Sequence, residues 1–465
     1  MAVLASCLLL GAVAAPGASA AHNQLVFFEA PAQLLNPKLR ASAMFTLQHL
    51  GVKALRVELH WRDVAPASNS SKKPAFDATN PASYNWSEYD PLIEEAEKLK
   101  WKILLTVTSP VPRWATASHK DFITRPDDRD FEEFMTAAGK HYGTGIAYWA
   151  IWNEPNIPGW LSPQFAPNGT PESPRLYRGL YQSGYAGLEK AELETAPKVL
   201  FGETAPFGVD RVNVKREGPN HEVAPLIFLR QALCLSSSYK KSSSCSQLKM
   251  SGYGHHPYTY PAVQGPFYRP PNKDEVPIGA LARLQSALDK AANAHAIPRG
   301  TKMFLDEYGV QTKPNPLGVS PAEQAEYAAI SERIAWEDPA VAAFSQYLLR
   351  DEGKHGRFVG YRTGLEGPTG TRKPSYYSFA LPLTVTKAGS GYSLWGLVRP
   401  TLAATKVTVM VRSSASSHFR KLTTVSTDLN GYWHLRSTTK AQAWEVKWTS
   451  PGDSNFQGPP VRAFP

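Results

Sequence analysis

The sequence predicts an α/β fold, a (β/α)8 TIM barrel followed by a small C-terminal β-sandwich, on three observations. Eight short apolar runs alternate with helical patterns between residue 24 and about residue 380. Two of these runs, far apart in the chain, each end in a glutamate, Glu154 and Glu307. Beyond about residue 385 the helical patterns stop, and short segments of alternating polarity take over.

Taken in order, the N-terminus reads as a secretory signal over residues 1–20. Val3 to Ala15 is almost wholly small or apolar, and Ala18-Ser19-Ala20 is an A-x-A cleavage site, although Met1-Ala2 lacks the usual basic residues. Leu4-Ala5-Ser6-Cys7 has the form of a lipoprotein box, but no apolar region precedes it, so cleavage after Ala20 is the expectation.

The barrel is expected over residues 21–384. Its strands are read at Leu25–Phe28, Ala54–Leu59, Lys102–Val107, Ile146–Trp152, Lys198–Phe201, Gly252–His256, Lys302–Leu305 and Ala343–Leu348. Helical patterns between them include Asp90–Lys100, Asp130–His141, Arg175–Thr195, Leu281–His295 and Pro321–Glu337. The last opens on Ser320-Pro321 with Glu323, a cap, a first-turn proline and an early acid. No Gly-rich phosphate loop follows the first strand, which argues against a dinucleotide fold.

Residues 385–391, ending in Lys387-Ala388-Gly389-Ser390-Gly391, read as a linker. The segment 392–465 reads as the sandwich, with strands at Ser393–Val398, Lys406–Arg412, Arg420–Thr427, Tyr432–Ser437 and Ala443–Trp448 and a hairpin signal at Asn430-Gly431.

Composition narrows the function classes. With 42% hydrophobic and 19% charged residues, the chain can bury a large core and is not of disordered type. No run of 18 apolar residues occurs in the body of the chain, so no membrane span is expected. The formal charge of +10 comes from scattered Lys and Arg, with Lys72-Lys73 and Lys240-Lys241 in Ser-rich loops. That reads as a solvated basic surface and not a nucleic-acid footprint, with attraction to acidic polymers or a bacterial envelope as the other reading. Cys234 and Cys245 bracket a polar loop, and a loop-closing disulfide is favoured over two free thiols. Neither CxxC nor HExxH spacing occurs, so nothing has metal-ligand spacing, and no metal or organic cofactor is expected because two carboxylates and water suffice for the chemistry read below. The oligomeric state is left open.

The chemistry lies at the strand ends. In a (β/α)8 barrel, catalytic groups project from the C-terminal ends of strands. Trp152-Asn153-Glu154-Pro155-Asn156 ends the fourth strand and Met303-Phe304-Leu305-Asp306-Glu307 forms the seventh, so the two glutamates face one another across the mouth. A carboxyl pair about 5 to 5.5 Å apart serves retaining glycoside cleavage, and a pair at about 6.5 to 9.5 Å serves inverting cleavage. Aromatic residues near strand ends, Trp61, Trp114, Trp160, Tyr258 and Tyr308, are candidates for stacking on sugar faces.

Trp152-Asn153-Glu154-Pro155-Asn156 resembles the acid/base motif of the clan A glycoside hydrolases, and Phe304-Leu305-Asp306-Glu307-Tyr308-Gly309 resembles their nucleophile strand; the pattern is most similar to families 39 and 5. The resemblance covers roughly residues 24–380 and implies roles. Glu154 matches the general acid/base and Glu307 the nucleophile of a retaining glycosidase. Asn153 matches the amide that bonds the sugar 2-hydroxyl. Arg56, in Leu55-Arg56-Val57-Glu58, matches the arginine supporting the nucleophile, with a core ion pair to Glu58 as the other reading. His256 and Tyr258 match a His-x-Tyr element whose tyrosine contacts the nucleophile. The stacking tryptophan of the eighth strand is replaced by Phe344-Ser345-Gln346-Tyr347, leaving Gln346 or Tyr347 as substitutes.

His255 is expected to lie behind the site or to face solvent, with a direct site role as the other reading, and Asp306 is expected to be structural by pointing away from the site. Asp351-Glu352 either contacts substrate or caps a loop. Long insertions at Ala67–Tyr84, Ile157–Ser173 and Pro206–Gln247 are expected to shape the cleft. The expected function is a secreted retaining glycosidase acting on a poly- or oligosaccharide. The alternatives are a non-catalytic carbohydrate-binding surface protein, or a transglycosylase using the same glutamates.

Overall fold

The computed structural model describes residues 24–353 and 359–464. The predicted signal segment lies outside them. Eight parallel strands close a barrel in sequence order: β1 (Leu25–Glu29), β2 (Ala54–His60), β3 (Lys102–Thr108), β4 (Tyr148–Ile151), β5 (Val199–Thr204), β6 (Gly252–His255), β7 (Met303–Leu305) and β8 (Val341–Tyr347). Closure is made by β1 against β8, from Leu25 opposite Ala343 to Glu29 opposite Tyr347. All eight predicted strands are present. The largest shift at an end is in β5, which runs on from the predicted Phe201 to Thr204.

Strand side chains alternate inward and outward. The inward positions fill the barrel in layers. Phe27, Ala54, Leu104, Ala150, Leu200, Phe304 and Ala343 form an apolar floor. One step further along the strands the inward side chains turn polar, with Arg56 on β2, Thr106 on β3 and Glu203 on β5, all buried. Buried charge of this kind holds only if fully paired, and the pairing builds the site described below.

The outward faces of the strands pack on helices Arg40–His49, Asp90–Lys98, Asp128–Tyr142, Ser173–Lys190, Leu281–Asn293 and Pro321–Glu337. Ser320 and Glu323, the predicted cap and early acid, form a capping box, each side chain bonding the other residue's backbone N–H. None of the described helices is long and apolar enough to cross a membrane.

The C-terminal unit is a sandwich of two antiparallel sheets. One has the order β13 (Tyr432–Ser437), β10 (Gly391–Leu397), β9 (Leu383–Ala388). The other has the order β12 (Arg420–Ser426), β11 (Lys406–Arg412), β14 (Ala443–Thr449), β15 (Asn455–Gln457). The predicted linker at 385–391 is corrected here. Those residues are most of β9 and its turn into β10, paired from Leu383 opposite Gly396 to Ala388 opposite Gly391. The Gly-Ser-Gly composition marks a hairpin turn, not a tether.

The sandwich is seated on the barrel. Arg399 gives one guanidinium nitrogen to both oxygens of Glu332 at 2.7 Å, and donates from Nε to the Phe379 carbonyl. Trp336 packs against Trp395 and Tyr432 beside this pair. A Cβ at Gly51 would meet the Arg399 carbonyl oxygen at 2.5 Å, and Gly51 has φ of +84°, so this approach needs glycine twice over. Cys234 and Cys245 are joined in a disulfide, closing the predicted loop.

Candidate active site

The mouth of the barrel is organised on Arg56. Its Nη2 donates to Asn153 Oδ1 at 2.6 Å and to Glu203 Oε2 at 2.7 Å, and its Nε lies 3.4 Å from Glu203 Oε1. Its Nη1 reaches Glu29 at 2.8 Å, Glu307 at 3.0 Å and Glu58 at 3.3 Å. The two readings of Arg56 are therefore joined: it supports Glu307 and pairs with Glu58. Burial alone would lower its affinity for a proton, but the four carboxylates around it raise that affinity well above the ordinary value.

Arg56 also orients Asn153. An arginine can only donate, so the amide oxygen of Asn153 faces it and the amide nitrogen is turned away from it. The Asn153 backbone N–H is held by Thr108 Oγ1 at 3.0 Å. The residues on either side have left-handed backbones, with φ of 74° at Trp152 and 38° at Glu154. Non-glycine residues adopt this region rarely, and mostly where a site requires it. The bend turns Glu154 out of the strand. It is locked by Trp152 Nε1, which donates to the Trp160 carbonyl, and by Asn156, whose buried amide bonds Ala205 and Val223.

Glu154 and Glu307 meet around His256. One carboxylate oxygen of each and a ring nitrogen of His256 all lie within 4.8 Å of one another. Their surroundings differ. Glu307 accepts the Tyr258 hydroxyl at 2.6 Å and the Arg56 guanidinium at 3.0 Å. Glu154 is bonded to His256 Nδ1 at 3.0 Å. Burial, with Glu58 adding to it, pushes Glu154 up to about 8. Burial also raises Glu307, but the Arg56 guanidinium pulls it back, as does His256 whenever it carries a proton. His256 is lowered by burial, which favours the neutral imidazole. With one proton between the two carboxyls, it rests on Glu154, which has no guanidinium bonded to it.

The other predicted site residues fall into two groups. Tyr258 touches Glu307 as described. Trp61 and Trp114 are corrections: they are 0% and 4% exposed, and Trp61 lies flat on Phe134 with ring centroids 5.2 Å apart and edge-on to Trp114 at 5.7 Å. They are core, not sugar platforms. Gln346 is also turned away, its amide donating to the Leu348 and Thr363 carbonyls. Tyr347, the inward residue of β8 opposite Glu29, faces the mouth in its place, with Tyr361 edge-on to it at 5.7 Å. Trp160 lies beside the site, 6.2 Å from the His60 ring. Tyr308 is buried and bonds Ser331.

His255 is structural and does not face solvent: it is fully buried, bonding Thr204 and the Val276 carbonyl. Asp306 is structural too, but the expected direction is corrected. It does not point away; it lies in the barrel beneath the site, accepting the His255 backbone N–H with Oδ1 3.6 Å from His256 Nε2. A Cβ on Gly254 would meet both Asp306 and Glu203 at 2.6 Å, so glycine at that position makes room for the two acids. Asp351 caps a loop, bonding Gly364 N and Lys373.

Sequence reasoning missed Glu203 and Glu29. Glu29 could have been found from inward alternation after Phe27. Glu203 was hidden because Gly202 looks like a strand end.

Among the described residues, two sets bring ligand atoms close enough for a metal ion, Glu154–His256–Glu307 and Glu29–Glu58–Glu307. In the second, Arg56 Nη1 already bonds all three carboxylates and supplies the positive charge.

No protein-family model matches the sequence, and no curated protein matches it. Solved structures do share the fold. A glucosidase from Croceicoccus marinus superposes with a TM-score of 0.54 at 12% identity, over 92% of this chain and 95% of that one. A family 39 glycoside hydrolase from the gut symbiont Bacteroides cellulosilyticus WH2 superposes with a TM-score of 0.50 at 14% identity, over 90% of this chain and 79% of that one. The structural neighbours are thus glycosidase barrels, with family 39 among them, as the motifs suggested. At these identities the likeness carries the fold alone.

Proposed function

We propose that this chain is a retaining glycosidase that cleaves O-glycosidic bonds of a poly- or oligosaccharide outside the cytoplasm. The observation that carries the reading is the meeting of Glu154 and Glu307 within 4.8 Å around His256, in unlike surroundings. With an oxygen of each that near, the pair fits the carboxyl spacing of about 5 to 5.5 Å of a retaining enzyme better than the spacing of about 6.5 to 9.5 Å that leaves room for an inverting enzyme's water.

In the first step Glu307 Oε bonds to the anomeric carbon. The bond to the leaving oxygen breaks as Glu154 gives that oxygen its proton. In the second step Glu154, now a carboxylate, takes a proton from water as the water oxygen bonds to the anomeric carbon and releases Glu307. Arg56 and Tyr258 hold Glu307 in line and ionised. Asn153, oriented by Arg56, offers its amide to the sugar 2-hydroxyl, where the bond strengthens as charge develops. His256 holds the acid. None of these roles requires a metal or organic cofactor. Export is supported by the signal pattern of residues 1–20 and by the Cys234–Cys245 disulfide.

The test is a screen of aryl glycosides and polysaccharides, with the anomer first released followed by NMR. Release of the same anomer as the substrate supports the reading. Release of the opposite anomer refutes it. An added acceptor sugar separates transfer from hydrolysis by its products.

A further inference from the structure

Arg56, Glu58 and His60 are alternate residues of β2, so all three face the barrel interior on successive levels. Glu58 stands above Arg56, on the side toward solvent. Of the three carboxylates on Arg56 Nη1 it is the most exposed, at 21% against 12% for Glu307 and 3% for Glu29. Oxygens of Glu58, Glu29 and Glu307 lie within 4.8 Å of one another. A sugar whose anomeric carbon meets Glu307 therefore has the Glu58 carboxylate against its ring substituents.

Glu58 is ionised there. Despite burial, His60 and Arg56 hold it down at about 2. The nearby cations are already engaged. All three nitrogens of Arg56 bond protein acceptors. His60 stands between Asp63 at 3.1 Å and Glu58 at 3.6 Å. A carboxylate on the sugar would meet Glu58 in a poorly solvated cleft with no free cation among the described residues beside it, and like charges so placed repel strongly.

We propose that Glu58 is a specificity-determining residue: it accepts hydrogen bonds from the sugar seated at Glu307, so the site takes a glycone with hydroxyl or ammonium donors and rejects uronides. This rests on the glycosidase reading above and adds the substrate class to it.

The test measures binding apart from turnover. Calorimetry with glucose, galactose, glucosamine, glucuronate and galacturonate is run on the wild type and on Glu58→Gln, with thermal unfolding as the check that the variant folds. The expected result is binding of a parent sugar at least about tenfold tighter than its uronate, a gap that Glu58→Gln largely removes. A purely structural effect of Glu58 on Arg56 would weaken every sugar alike and leave the gap. The proposal is overturned if a uronate binds as well as its parent, if the gap survives in Glu58→Gln, or if no sugar of the panel binds. The same pairs are then assayed as aryl glycosides. Selective binding without cleavage of any of them would count against the glycosidase reading and leave the charge selection standing.

Discussion

Arg56 and Glu203, on β2 and β5, are joined by a paired contact of 2.7 Å and 3.4 Å beneath the barrel mouth. Thr106 adds a hydrogen bond to Glu203 at 2.9 Å. Glu203 cannot reach a substrate, yet it fixes the guanidinium that holds Asn153 and Glu307. Glu203→Ala leaves Arg56 its three other carboxylates but strips the buried Nε of its acceptor and Nη2 of one of two, at a cost of about 1–3 kcal/mol in stability. Glu203→Gln keeps an acceptor and should fold, with kcat down by about 100-fold through misplacement of Glu307 and Asn153, and with KM little changed. A variant with wild-type kcat would show that Arg56 holds its position without Glu203.

The proton on Glu154 sets the alkaline limit of activity. Its carboxyl must be protonated to act as acid, and it loses that proton as pH rises through about 8. Glu307 must be ionised, which sets the acid limit. The expected kcat/KM profile is a bell whose upper limb falls near pH 8. Glu154→Gln should abolish that limb on an aryl glycoside with a good leaving group, where no acid is needed. If the limb persists in Glu154→Gln, another group titrates there.

Glu58 and His60 give a pH window of stability. Glu58 falls from 4.5 to about 2, so its contribution is present above 4.5 and lost as pH falls through about 2. His60 rises from 6.5 to about 9 through its bonds to Asp63 and Glu58, which outweigh burial, so its contribution is present below 6.5 and lost as pH rises through about 9. The difference in Tm between wild type and His60→Gln should be widest between pH 4.5 and 6.5 and should close above about 9. A difference that does not change with pH would mean that His60 acts by packing.

The sandwich should be inseparable from the barrel. Arg399→Ala strands Glu332, which is 5% exposed, and should cost about 3–5 kcal/mol. Replacing both partners, Arg399→Met with Glu332→Met, should recover most of that loss, because no charge is then left unpaired. Thermal unfolding of the three proteins checks this; equal loss in the single and double variants would assign the effect to packing alone.

The fold was legible because strand apolarity and helix periodicity alternate strongly, and because Glu154 and Glu307 sit at strand ends that only a barrel brings together. Arg56, Asn153, His256 and Tyr258 could be named from motifs and meet as those motifs imply. The errors have physical causes. Trp61 and Trp114 follow strand ends, as sugar platforms do, but a loop after β2 folds them into the core, and sequence position does not encode that. The 385–391 segment has linker composition because a tight hairpin turn needs the same small residues. Glu203 and Asp306 were missed or misdirected because β5 continues past a glycine and β7 brings consecutive acids, Asp306 and Glu307, into the same interior. Neither irregularity leaves a periodic trace.

The most direct test of the central claim is azide rescue of Glu154→Ala and Glu307→Ala on an aryl glycoside that the wild type cleaves. Removing the acid/base should cost about 10²- to 10⁴-fold with poor leaving groups, and removing the nucleophile should end the covalent route. With azide, Glu307→Ala should yield the glycosyl azide of inverted configuration, because azide attacks the sugar directly from the vacated side. Glu154→Ala should yield the azide of retained configuration, because azide attacks the glycosyl-enzyme on Glu307. Wild-type rates in either variant, or the opposite pairing of products, would contradict the roles assigned to the two glutamates.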